Sequence, residues 1–174
     1  MFIMNEALKN LIDRRSIKKY KSDMVPMEII DQICEAGTYA ACGRGLQAGL
    51  IIAVTDKDMR DKLSKLNAEV MGADSDPFYG APVVLVVLAN KEVPTYLYDG
   101  SLVMGNLMTA ANALGIGSCW IHRAKQVFES EEGKKILADL GIEGNWEGIG
   151  NCIIGYADEE RQPKPRKENW VYKI

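Results

Sequence analysis

The 174-residue chain contains no apolar run long enough to cross a membrane, no paired-cysteine motif, no internal repeat and no strong charge of either sign. Each absence removes a class of function. A membrane span needs about 20 consecutive apolar residues, and the start MFIMNEALKNLIDRR turns charged too early for a signal peptide or anchor. Cys34, Cys42, Cys119 and Cys152 are widely separated, which is poor material for a zinc site. They read as free thiols in a reducing compartment, so the expected location is the cytoplasm. The net charge of −3 argues against a nucleic-acid binder held by overall charge. Histidine occurs once, as His122. What remains is an ordinary soluble composition, 47% apolar and 26% charged, in a chain sized for one domain with a real core.

The most informative stretch is Tyr98 to Arg123, YDGSLVMGNLMTAANALGIGSCWIHR. Asp99 is expected to cap a helix whose sides, from Leu102 to Leu114, are apolar nearly all round, so the helix should be buried on nearly every side. Gly115 supplies its stop, and Gly117 to Ile121 reads as a short buried strand. Around it, Asn5 to Arg15 and Asp56 to Val70 have helical spacing. Pro26 opens a helix that Gly37 is expected to end. Gln126 to Leu140 makes a last helix, broken near Gly133. Leu50 to Val54, Ala81 to Leu88 and Gly148 to Tyr156 read as strands, the second covered on both faces. Strands alternating with helices indicate an α/β or α+β sheet flanked by helices. The residues 158–174 form a tail whose Pro163-Lys-Pro-Arg-Lys167 cannot be helix or central strand.

Two features carry chemistry. Arg14-Arg15-Ser16-Ile17-Lys18 follows the first helix. It reads either as a solvated basic turn or as an anion clamp, since alternate residues of an extended segment share a side and could bring Arg14, Ser16 and Lys18 to one phosphate. The loop Thr38 to Gly49 contains Gly43-x-Gly45-x-x-Ala48, which formally matches a dinucleotide fingerprint. That fingerprint must follow a strand and open a helix, and here the order is reversed, so it is rejected.

Four motifs in order resemble the nitroreductase family: Arg14-Arg-Ser-Ile-Lys18 after an N-terminal helix, Gln47 in a small-residue loop before a strand, Asn106-Leu…Ala111 running into Gly115-Ile-Gly-Ser-Cys-Trp120, and Ile154-Gly-Tyr ahead of Pro163-Lys-Pro-Arg. The likeness spans about Asn5 to Lys167. It implies a single α+β domain over 1–174, with a mainly antiparallel central sheet flanked by helices. It further implies a homodimer holding FMN at its interface and taking hydride from NADH or NADPH, by a ping-pong route, to nitroaromatics, quinones or similar small-molecule acceptors. Neither nucleic acid nor membrane is an expected partner, and no metal is expected.

By position, the resemblance implies that Arg14, Arg15 and Ser16 cradle the FMN phosphate and ribityl chain. Lys18 would reach the ring near its N1–O2 edge, and Lys164 and Arg166 would close on the phosphate from the tail. Trp120, Ile121, His122 and Arg123 would lie against the ring, with the backbone N–H at His122 facing N5. His122 as a catalytic acid is the weaker reading beside a structural one. Gly45 and Gln47 occupy the loop that usually carries an asparagine for the ring's pyrimidine edge. That asparagine is missing here, and His122-Arg123 replaces an acidic-glycine pair, which makes the pocket more cationic. Two alternatives stay open: a flavin-binding carrier or sensor with little turnover, and a phosphate-ligand enzyme unrelated to flavin.

Overall fold

The computed structural model describes residues 5–174. Its centre is β2 (Val83–Asn90), where Val83, Leu85, Val87 and Ala89 face one side and Val84, Val86 and Leu88 the other, all buried. A strand apolar on both faces needs cover on both faces. Helices α2 (Met27–Thr38) and α4 (Tyr96–Ala113) supply it on the first side through Ile30, Ile33, Met104 and Leu107. The second side is covered by α3 (Lys57–Met71), α5 (Ala124–Glu129) and α6 (Glu131–Asp139), through Leu63, Val127, Phe128 and Ile136. With β1 (Gly49–Val54), β3 (Gly117–Ile121) and β4 (Trp146–Gly155), the sheet runs β1-β2-β4-β3, every pairing antiparallel. The expected α+β architecture is therefore present. Helix α1 (Glu6–Asp13) lies on the outside, tied to α4 by Asn10 Nδ2 donating to the Thr109 carbonyl at 2.9 Å.

Two close approaches set the packing. At Gly148 of β4 a methyl group would stand 2.3 Å from the Ala124 carbonyl, so only glycine lets α5 seat on the sheet. The β2–β4 register slips by one residue between Val87 and Leu88, leaving Ile149 as the extra residue. That side chain packs where Gly100 of α4 has none.

Several expectations change. Helix α4 starts at Tyr96, not at Asp99; Asp99 is buried inside it and accepts from the Gly43 amide at 3.0 Å and the Thr95 hydroxyl at 2.9 Å. Nor is α4 buried all round, because Leu97, Tyr98 and Leu102 are exposed in the single chain. The break in the last helix falls at Ser130, whose hydroxyl caps α6 by accepting from the Gly133 amide at 3.1 Å. Gly37 lies within α2 rather than ending it. The tail from Asp158 forms no helix and no strand.

Candidate functional site

After α1 the chain straightens and runs along the free edge of β3. Ser16 bridges Ser118 in parallel, and the Ile17 N–H donates to the Ser118 carbonyl at 2.9 Å. Ile17 turns inward and is buried. Its neighbours Ser16 and Lys18 meet Cys119. Burial pushes that thiol's pKa up, and the Ser16 hydroxyl and the charges of Lys18, Arg161 and Arg14 work against the rise. Arg14, Ser16 and Lys18, alternate along this segment, are thus all near enough to Cys119 to act on its thiol.

Arg14 Nη1, Arg15 Nε and Ser118 Oγ are buried beside this segment and have no hydrogen-bond partner. Buried donors without partners are costly. Two guanidinium nitrogens and a serine hydroxyl are the kind of donors that an anion such as a phosphate requires. Arg15 is held in place by its Nη1, which donates to the Ile12 and Arg14 carbonyls at 2.6 and 2.8 Å.

Three residues beyond Arg15, at Lys18, the segment reaches a cavity of about 400 Å³, lined also by Tyr79, Trp120, Ile121, His122 and Arg123 among others. Tyr79 reaches it from the loop between α3 and β2. That loop is organised by Asp76, which accepts from Arg60 Nη2 and Ser64 Oγ, both at 2.6 Å, and from the Phe78 and Gly80 amides at 2.9 and 2.7 Å. Partial burial opposes the charge on Asp76, but these four donors together outweigh it and hold the carboxyl below its ordinary range. Tyr79 sits at φ 53°, and the Lys18 ammonium lies 5.3 Å from its ring centroid.

The floor of the cavity is fixed by a residue the sequence reading missed. Asn67 of α3 is fully buried; its Nδ2 donates to the His122 carbonyl at 2.9 Å and its Oδ1 accepts from Arg123 Nε at 2.9 Å. Asn151 of β4 donates more weakly to the same carbonyl, at 3.5 Å. The His122–Arg123 peptide is therefore oriented by side chains, and the preceding peptide by Asn151 donating to the Ile121 carbonyl at 3.5 Å, while the His122 side chain is exposed. The available signal was an asparagine one turn beyond Leu63 on the apolar face of α3.

Other expected site residues turn away or lie elsewhere. Trp120 lines the cavity but turns its indole over Gly150, toward Met104 and the α4 side of the sheet. Gly45 and Gln47 stand at the β1 edge, Gln47 lining a separate cavity of about 430 Å³ with Cys34, Cys42 and Asp99. Three strand spacings, roughly 14 Å, separate that edge from β3, so within one chain these two residues do not join the cluster. From the tail it is Arg161, not Lys164 or Arg166, that reaches it. Glu159 accepts from the Lys18 amide and, at 2.7 Å, from Arg161 Nε. Lys164 and Arg166 are exposed, and Arg166 donates back to the Lys164 carbonyl at 2.8 Å. Among the described residues there is no group of three His, Cys, Asp or Glu side chains that could hold a metal ion, and no helix is long and apolar enough to cross a membrane.

An antiparallel sheet between two helical layers, with a basic extended segment laid along one edge and a cavity at its end, defines a class of α+β proteins. The family is the nitroreductase family, whose model matches residues 11–156, and the chain belongs to it. It is 32% identical over 164 residues to a protein of Archaeoglobus fulgidus described as a candidate NADH dehydrogenase/NAD(P)H nitroreductase, covering 91% of this chain and 89% of that one. It is 30% identical over 184 residues to the FMN reductase [NAD(P)H] of Bacillus subtilis, covering 94% of this chain and 70% of that one. A nitroreductase from Bacteroides fragilis, solved with bound FMN, has the same fold at a TM-score of 0.89, with 24% identity over 98% of this chain and all of that one.

Proposed function

We propose that this chain is an FMN-dependent oxidoreductase that passes hydride from NAD(P)H, in two half-reactions, to nitroaromatic, quinone or similar acceptors. The observation that carries the reading is the set of buried, unpartnered donors on Arg14 and Arg15, in the segment that reaches a cavity bounded by Lys18 and the His122 peptide. These residues fit a phosphorylated planar cofactor. Arg14, Arg15 and Ser16 would bind its phosphate, and Lys18 would stabilise negative charge at its ring edge. The His122 N–H would face N5; it shares a peptide with the Ile121 carbonyl, which accepts from Asn151 Nδ2 at 3.5 Å, and Asn67 holds the peptide that follows. When bound, FMN supplies the relay of two electrons and a proton between donor and acceptor. No side chain need act as a general acid, and the exposed His122 imidazole is left without that role. The relatives named as FMN reductase and the FMN-bound neighbour support the choice of cofactor.

The working unit in this proposal is a homodimer. Leu8, Leu11 and Ile12 of α1 and Leu97, Tyr98 and Leu102 of α4 form an exposed apolar surface that a second copy would cover. The second copy would also bring the Gly45–Gln47 edge toward the first copy's Lys18. A tail free beyond Arg161 leaves Lys164 and Arg166 available to close on a phosphate. Four free cysteines favour a reducing compartment and hence the cytoplasm.

One observation favours a second reading, a flavin carrier or sensor: Gly45 stands where the family's ring-binding asparagine is expected. Two measurements test both. A yellow preparation that releases FMN on heating establishes the cofactor. Bleaching by NADH or NADPH and recovery on adding a quinone then establishes turnover. Bleaching without recovery selects the carrier, and a colourless protein that ignores added FMN overturns both.

A further inference from the structure

The feature of the cavity that the proposed reaction does not use is the Arg123 guanidinium. Arg123 sits in the left-handed region at φ 76°, where a side chain is strained and glycine is the usual occupant. Strain of this kind persists where the surroundings over-determine it, and they do so here through the fully buried Asn67, which accepts from Arg123 Nε at 2.9 Å. This bond uses the inner nitrogen and leaves the two terminal nitrogens with no protein partner among the described residues. The side chain lines the 400 Å³ cavity together with Lys18 and His122. One carboxylate, Asp76, lines it too, but both its oxygens are taken by Arg60, Ser64 and two backbone amides. The cavity therefore offers an oriented, unpaired two-nitrogen fork and no free anion to satisfy it.

We propose that Arg123 is the specificity determinant of this site, recognising an oxyanion (a carboxylate or phosphate) carried by the hydride donor or acceptor that stacks on the bound flavin. The inference rests on the flavoenzyme reading above. A planar guanidinium held at its inner nitrogen is suited to grip a carboxylate or phosphate with its terminal nitrogens. Asn67 is the positioning residue: it fixes the direction of the fork and makes no contact with the anion. The anion has two sources in such an enzyme, the 2′-phosphate of the hydride donor or a carboxylate on the acceptor.

The test starts with purified holoprotein whose FMN content has been measured, so that a missing cofactor counts against the proposed function and not against Arg123. Benzoate, an aryl carboxylate that cannot be reduced, is titrated while the flavin spectrum and the tryptophan fluorescence are followed. Arg123→Gln weakens benzoate binding by about tenfold or more, Arg123→Lys by less, and Asn67→Leu by an intermediate factor, as loss of a charge-assisted pair requires. A thermal melt of each variant confirms that it is folded. Steady-state kcat/KM ratios then separate the sources. If Arg123→Gln collapses the ratio of 4-nitrobenzoate over its methyl ester, the acceptor carries the anion. If it collapses the ratio of NADPH over NADH, the donor does. Either result supports the proposal. Benzoate dissociation constants equal in wild type and Arg123→Gln, with both kinetic ratios unmoved, overturn it.

Discussion

Asn67 is wholly buried, and the walls of the cavity at His122 and Arg123 depend on it. Replacing it by leucine keeps roughly the shape and removes both polar atoms. The His122 carbonyl loses a 2.9 Å donor and keeps only Asn151 at 3.5 Å. Arg123 Nε loses its acceptor. A neutral hydrogen bond in a buried site is worth about 1 kcal/mol and one to a charged group about 1.5–3, and a partner left dry and unpaired sits at the upper end. The gain from burying leucine's extra apolar surface is small, because Asn67 is already packed. The expected cost is therefore about 3 kcal/mol. For a chain of this length each kcal/mol moves the melting temperature by about 2–4 °C, so Asn67→Leu should melt roughly 6–12 °C below wild type.

A thermodynamic cycle isolates the Arg123 part. Arg123→Met removes the guanidinium, and combining it with Asn67→Leu should recover about 1.5 kcal/mol relative to the sum of the single changes, since the pair is in direct contact. Urea unfolding of the four proteins measures it. A melting shift below about 2 °C, or additive single changes, would refute the reasoning that Asn67 holds the cavity floor.

Three further outcomes follow from the same structure. Asp76→Asn should cost about 2 kcal/mol at pH 7, because it weakens the hold on Arg60 and on the loop amides. Since the folded Asp76 pKa lies below its unfolded value near 3.9, its contribution is fully present above that pH and lost as pH falls through the folded pKa. The gap between wild type and variant in urea titrations should therefore narrow below about pH 4. Gly148→Ala puts a methyl group 2.3 Å from the Ala124 carbonyl and should destabilise by roughly 3 kcal/mol, read as a lower urea midpoint with unchanged slope. Lys18→Met, in protein loaded with FMN, should lower the two-electron potential by roughly 30 mV or more, since it removes the cation nearest the proposed ring edge; an unchanged potential would place Lys18 away from the ring.

The sheet was legible because its strands are runs that no other arrangement satisfies. The stretch from Ala81 to Leu88 differs from the observed Val83–Asn90 by a two-residue slide, since Pro82 has no N–H to give the ladder. Glycines were less legible, because a sequence shows their freedom and hides what they touch. Gly37 and Gly133 read as helix punctuation. In the fold a methyl group at Gly37 would lie 2.7 Å from the Leu107 side chain, and one at Gly133 would lie 2.0 Å from the Val127 carbonyl. Both are contacts between helices, not stops. The basic segment was legible by alternation alone, and Asn67 was not. A buried asparagine is informative only once its two partners, 55 and 56 positions further along the chain, are known.

The remaining departures all concern surfaces that one chain leaves uncovered. Helix α4 reads as apolar on all sides, yet one chain covers only part of it; α1 has an apolar stripe, yet none of its residues is buried. Gly45 and Gln47 match a cofactor loop, yet they stand at the sheet edge opposite Lys18 and His122. An apolar surface larger than a lone domain tolerates and a site divided between two edges are each unfavourable for a single chain. The proposed homodimer would relieve both in the same step, if the second copy sits against α1 and α4 with the β1 edge of one chain toward the β3 edge of the other. In that proposed dimer, burial of the helices and completion of the site would be one event, so a charged residue at Leu102 should both yield a monomer by sedimentation and lower FMN content.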